Sequence, residues 1–190
     1  MKSFSVIILV LICCSCIESR PSEDNGPAFA RWLVKRGSWG VLSTLDSATG
    51  APFGNVVSYS DASTGTPFFY LTTSNRDPTG PNALHNPISS FTVSEYAVNL
   101  CRSSIKRDPQ APTCSKITLT GELTRLDNRS SEVVLARSAL FQEHFELGGD
   151  WLAKHNFEVF KMIIKNIFLV NDFKPFKMVD VEEYLGWGGN

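Results

Sequence analysis

Past residue 16 no C-x-x-C pair occurs, and nowhere in this chain is there a histidine cluster or a basic block; each absence closes off a class of function. The three histidines, His85, His144 and His155, are dispersed, with no Ser, Cys or paired carboxylate at a spacing that would make a triad or a metal set. No glycine-rich phosphate loop is present either. Eighteen Lys and Arg against nineteen Asp and Glu leave a net charge of -1, with no cationic surplus to displace counterions from a polyphosphate. Nucleic acid is therefore not an expected partner. Beyond the first residues no apolar run is long enough to span a bilayer, and the tail YLGWGGN is no anchor signal.

What is present is material for one domain: 190 residues, 43% of them hydrophobic, enough for a real core. The N-terminus sets the compartment. Lys2 precedes the apolar run VIILVLI at 6–12 and the small residues Cys13, Cys14, Ser15 and Cys16. That is the build of a secretory signal peptide over 1–16, too short for a spanning helix. A buried N-terminal strand and a lipid-anchored cysteine are the weaker alternatives. Residues 17–26 read as a flexible leader, and 27–190 as the folded domain.

Once the signal is removed, only Cys101 and Cys114 remain of five cysteines. In an oxidising compartment they are expected to form one disulfide, closing the polar loop that precedes the central strand. The alternative is two free thiols too far apart to bridge.

That central strand begins at Lys116, where Ile117, Leu119 and Leu123 alternate with Thr118, Thr120, Glu122 and Thr124, and Gly121 interrupts the apolar face as a bulge would. Earlier in the chain a helix is expected from Pro27 to Lys35, with Phe29, Trp32 and Leu33 at helical spacing. Strands are expected at 39–45, 53–60, 68–72 and 88–96, with one helical turn at 82–87. Helical spacing of Val134, Leu135, Ser138, Leu140, Phe141 and Phe145 predicts an amphipathic helix over 131–145. A long last strand at 157–170 is apolar on both faces: Val159, Ile163, Ile167 and Leu169 on one, Phe160, Met162, Ile164, Phe168 and Val170 on the other. It needs cover from a helix or a second subunit. The fold class read from this order is α+β, a six-stranded antiparallel barrel with flanking helices.

Several segments carry a resemblance: WGVLSTL at 39–45, GAPFGNVVSYSD at 50–61, PFFYL at 67–71, LHNP at 84–87, DPQAPTC at 108–114, LTG at 119–121, HNF at 155–157, NIF at 166–168 and EEY at 182–184. In this order and spacing, over nearly the whole mature chain, they resemble the CREG glycoproteins. The resemblance implies a secreted or endolysosomal glycoprotein with the FMN-binding split-barrel fold of the pyridoxamine-phosphate oxidases, usually a homodimer. It also implies growth restraint, differentiation and sorting through mannose-6-phosphate-type receptors.

For FMN, the candidate phosphate-holding residues are Ser58 and Ser60 on the second strand and Thr72, Thr73, Ser74 and Arg76 after the third. The bland reading of the same set is surface hydroxyls and a solvated loop arginine. Where flavin oxidases of this fold commonly carry a basic residue on the second strand, this chain has VSYS, so a weaker phosphate grip is expected. Asn128-Arg129-Ser130 is a glycosylation sequon, with a helix N-cap as the alternative role for Asn128. His85 is expected to face solvent, His144 to close the amphipathic helix and His155 to order the start of the last strand. The leading expectation is action through protein partners without catalysis; an FMN-dependent oxidoreductase or flavin carrier is the rival, and a protein binding a small non-flavin ligand the third reading.

Overall fold

The computed structural model describes residues 19–102, 108–148, 150–172 and 174–188. The expected signal peptide at 1–16 lies outside them. Along these residues run α1 (Gly26–Arg36), β1 (Trp39–Leu45), β2 (Pro52–Ser60), β3 (Phe68–Thr72), α2 (Thr79–His85), β4 (Ile88–Ser94), β5 (Lys116–Arg125), α3 (Ser131–Glu143), α4 (Asp150–Lys154), β6 (Phe157–Val170), β7 (Lys177–Val179) and α5 (Val181–Gly186). Short 3-10 turns occupy Glu95–Val98 and Phe145–Leu147.

All pairings are antiparallel, in the order β3-β2-β1-β4-β5-β6-β7. Because β3 also pairs with β6, the first six strands close into a barrel, and β7 extends the sheet beyond β6. The six-stranded split barrel with flanking helices read from the sequence is thus the fold. Closure removes the exposed edges that an open sheet would present.

The barrel is filled by the inward half of each alternating strand. Leu42, Phe91, Ile117 and Leu119 are fully buried, and the Phe91 ring meets Tyr59 at 4.8 Å and Phe69 at 4.9 Å, both edge to face. Helix α1 starts where the Asn25 side chain accepts the Ala28 N–H, and its Phe29, Trp32 and Leu33 join the same core. The Tyr59 hydroxyl donates to the Val34 carbonyl and fastens α1 to β2.

The bulge at Gly121 is present, and it corrects the reading of β6. Thr120 pairs with Asn166 and Gly121 with Ile164, so Lys165 is the extra residue. One added residue reverses the alternation: Phe160, Met162 and Ile164 point inward before it, and Ile167 and Leu169 after it. The two faces expected from strict alternation therefore do not exist as such. A Cβ on Gly121 would lie 2.0 Å from the Ile163 carbonyl oxygen, which is why glycine stands there.

Helix α3 supplies cover for the outer side of the last strand. Val133, Ala136 and Leu140 pack against Phe68 and Val159 in a second, smaller core. The expected apolar face was displaced: Val134, Leu135, Phe141 and Phe145 are exposed, because α3 is apolar on both sides and the small Val133 and Ala136 allow the closer approach to the sheet. Helix α2 runs two turns where one was expected, β4 gives way to a 3-10 turn after Ser94, and α4, β7 and α5 were not anticipated.

Cys101 and Cys114 are disulfide-bonded, with Cα atoms 4.4 Å apart. From Arg20 onward the expected leader is held to the body: Arg20 donates to the fully buried Glu95 at 2.9 Å and its guanidinium lies 4.8 Å from the Phe29 ring centre. A buried cation, Arg31, joins three elements. It pairs with Asp61 at 3.3 Å, donates to the Ser63 carbonyl at 3.1 Å and to the Trp187 carbonyl at 3.3 Å, and lies over the Tyr184 ring. Tyr184 in turn donates to the Gly65 carbonyl at 2.7 Å.

Candidate functional site

A cavity of about 190 Å³ lies where β2, β3 and the start of α2 meet the end of α3 and α4. Val57, Leu71, Leu140 and Leu152 form apolar walls, and Tyr70, Trp151 and Phe157 add aromatic ones. Trp151 stacks on Phe157 with ring centres 4.8 Å apart. Burial pushes the Tyr70 hydroxyl pKa up, so this wall is uncharged at physiological pH.

The polar groups of the cavity are Ser58, Thr72, Thr79, Asp77 and His144. Asp77 is fixed from three directions: its Oδ1 accepts from the Thr79 N–H at 2.8 Å and the Thr79 hydroxyl at 2.6 Å, and its Oδ2 accepts from Asn55 Nδ2 at 2.7 Å. His144 follows the last residue of α3, and its N–H donates to the Leu140 carbonyl. Its Nε2 lies 2.9 Å from the Tyr59 carbonyl, which can only accept, so Nε2 carries a proton and donates.

Of the six residues expected to hold a flavin phosphate, Ser58 and Thr72 line the cavity and the other four do not. Thr72 donates to the His155 carbonyl at 2.7 Å and shares a 2.8 Å hydrogen bond with Ser74. Thr73 points its backbone N–H and its hydroxyl at the Asn156 carbonyl. Ser60 is buried and donates to Glu143 at 2.6 Å, and Arg76 is exposed outside the cavity. The turn before β6, with Asn156 in the left-handed region at φ 54°, has taken up these hydroxyls. Among the described residues no Lys or Arg lines the cavity, and the one carboxylate that does has the sign that repels phosphate. The space is also below the roughly 300–1,000 Å³ usual for pockets of larger ligands. These residues do not fit FMN within the single chain.

Asp77 and His144 were not singled out from sequence as cavity residues. Asp77-Pro78-Thr79 is a turn signal that could have placed Asp77 at the start of α2, but nothing local shows that α3 brings His144 alongside. His85 is exposed on α2, and His155 Nδ1 lies 2.6 Å from the Trp151 carbonyl. Asn128 is exposed at the turn before α3, its Oδ1 accepting from Arg137 at 2.6 Å. The N-cap is Ser130, which accepts the Val133 N–H, so the capping alternative for Asn128 is corrected.

Solved structures share this fold at low identity. A heme binding protein from Mycobacterium smegmatis superposes with a TM-score of 0.68 at 20% identity, covering 83% of this chain and 58% of that one. A protein from Clostridium acetobutylicum related to general stress protein 26, of the pyridoxinephosphate oxidase family, gives 0.55 at 12% identity over 83% and 96%. These likenesses speak to the barrel alone. Among curated proteins, human CREG1 is 33% identical over 171 residues, 86% of this chain and 75% of its own length. Chicken CREG1 is 30% identical over 94% of this chain and 97% of its own length. Human CREG2 is 34% identical over 86% of this chain, which spans 58% of that longer protein. The family model described as CREG, beta-barrel, matches residues 21–186, and with these relatives it establishes that the chain belongs to the CREG family.

Proposed function

We propose that this protein is a secreted or endolysosomal glycoprotein that acts through protein partners, as a homodimer and without catalysis of its own. The observation that carries this reading is the cavity that holds Ser58 and Thr72 of the expected flavin-phosphate residues: among the described residues it presents Asp77 and no Lys or Arg, and Thr72 and Thr73 are engaged by the turn before β6. A barrel built this way offers surfaces more readily than a cofactor grip. The apolar N-terminal run and the disulfide support the secretory route, since such bonds persist in oxidising compartments. Asn128 stands exposed for a glycan, and sorting by a mannose-6-phosphate-type receptor would read that glycan. Outward-facing Trp39, Val41 and Val56, adjacent across β1 and β2, support pairing with a second copy on that sheet face. No helix among the described residues is long and apolar enough to cross a membrane.

The test is an absorbance spectrum and an FMN titration of protein secreted by a eukaryotic cell, with sedimentation and glycosidase treatment of the same sample. Colourless protein that ignores FMN, sediments as a dimer and loses mass to the glycosidase is the expected outcome. Yellow protein, or saturable FMN binding at micromolar concentration, would replace this reading with the flavoprotein rival that the fold similarity favours.

A further inference from the structure

The same cavity has a positive character of its own. We propose that it binds a small aromatic amine, with the ammonium at Asp77 and the ring against Trp151 and Phe157. Size comes first. A buried apolar cavity of about 150 Å³ accepts a benzene ring, so the 190 Å³ here admits one ring and a short polar arm. Trp151 and Phe157, stacked on each other, together give the cavity an extended aromatic wall against which a guest ring can pack.

Polarity selects the arm. Asp77 is acceptor-only when ionised, and Oδ2, with one protein donor in Asn55, retains capacity for a ligand N–H. His144 Nε2 is committed to the Tyr59 carbonyl and offers no donor to a ligand. The Ser58 hydroxyl can adapt in either sense, whereas the Thr79 hydroxyl already donates to Asp77 and accepts from Asn55. Asp77 is thus a fixed acceptor with no fixed donor opposite it, and among the described residues no Lys or Arg lines the cavity to meet it. An ammonium satisfies this arrangement; a phosphate or carboxylate, which can only accept, does not.

The inference stands apart from secretion and receptor binding, and an empty cavity would leave those intact. Three probes with the same ring decide it: 2-phenylethylamine, 2-phenylethanol and phenyl phosphate, titrated calorimetrically at pH 7 into the secreted, full-length mature protein. The amine is expected to bind saturably and at least tenfold more tightly than the alcohol, and phenyl phosphate not at all. Asp77→Asn should abolish the tenfold advantage while leaving the alcohol affinity in place, and Trp151→Ala should weaken both. Equal affinity for amine and alcohol, no binding of either, or tighter binding of phenyl phosphate would overturn the proposal. Because the comparison among probes uses the unaltered protein, it stands even if Asp77→Asn fails to fold.

Discussion

Replacing Arg31 by Met removes a buried cation and leaves a buried anion behind. Asp61 is 4% exposed, and its Oδ2 lies 3.3 Å from Arg31. Breaking one side of a buried pair typically costs about 3–5 kcal/mol, mostly because the remaining charge has no partner. Here Asp61 keeps the backbone N–H groups of Ser63 at 2.9 Å and Gly65 at 3.2 Å, which places the expected loss at the lower end, about 3 kcal/mol. With a urea slope of about 2 kcal/mol per molar, the unfolding midpoint should fall by roughly 1.5 M. Met retains much of the apolar stem, so the loss reports charge and hydrogen bonding more than volume. Unfolding followed by fluorescence in Arg31→Met, Asp61→Asn and the double variant gives the coupling directly. If Arg31→Met costs under about 1 kcal/mol, or the two substitutions add within about 0.5 kcal/mol, the pair does not hold α1, the loop at 61–66 and α5 together, and the reasoning fails.

Gly121→Val should lose about 1–3 kcal/mol of stability in the same assay, since the added carbons meet the Ile163 carbonyl; a neutral result would mean the bulge relaxes freely. Cys101→Ser with Cys114→Ser should cost about 3 kcal/mol and lower the thermal midpoint, measurable against the oxidised protein by calorimetry. Burial raises the Glu143 pKa, with Asp61 adding to it against the opposing Ser60 hydrogen bond. An acid whose folded pKa is raised opposes folding as pH climbs from its unfolded value through its folded one. Glu143→Gln should therefore stabilise at pH 7 and change little at pH 4, and a gain of equal size at both would refute the assignment. Asn128→Gln should abolish the glycosidase-sensitive mass of secreted protein, read by mass spectrometry, without moving the melting temperature.

Alternation in β5 and short apolar runs bounded by turn residues in β1 and β3 made these barrel strands legible to within a residue, because each buries one face or both in a single core. β6 was legible in extent but not in facing. A bulge residue such as Lys165 carries no local mark, since the partner strand decides whether it is skipped. For α3 the difficulty was opposite: Val133, Val134, Leu135 and Leu140 give apolar character all round, and only the contour of β3 and β6 selects the side that packs. Asp180 with Glu183 is a cap signature before α5 that sequence could have used. The site was least legible, because Ser58 and Thr72 come together with Asp77 and His144 across four elements. The hydroxyls themselves were found; what had claimed them, the backbone at 155–156, is visible only in three dimensions.

The long last strand also governs the order in which the molecule should come apart. Its first residues, Phe157 to Lys161, are the seam with β3, its residues Ile167 to Leu169 carry β7, and β5 runs beside it from Phe160 to Val170. β7 can be lost with the barrel still closed, because it hangs on three residue pairs and nothing pairs beyond it. The seam cannot open without exposing Phe69 and Phe160 at the centre of the core. Amide exchange should therefore be fast in β7, slow at the seam and slowest in the stretch of β5 and β6 that faces the core, so that a single strand spans the first cooperative unit to melt and the last.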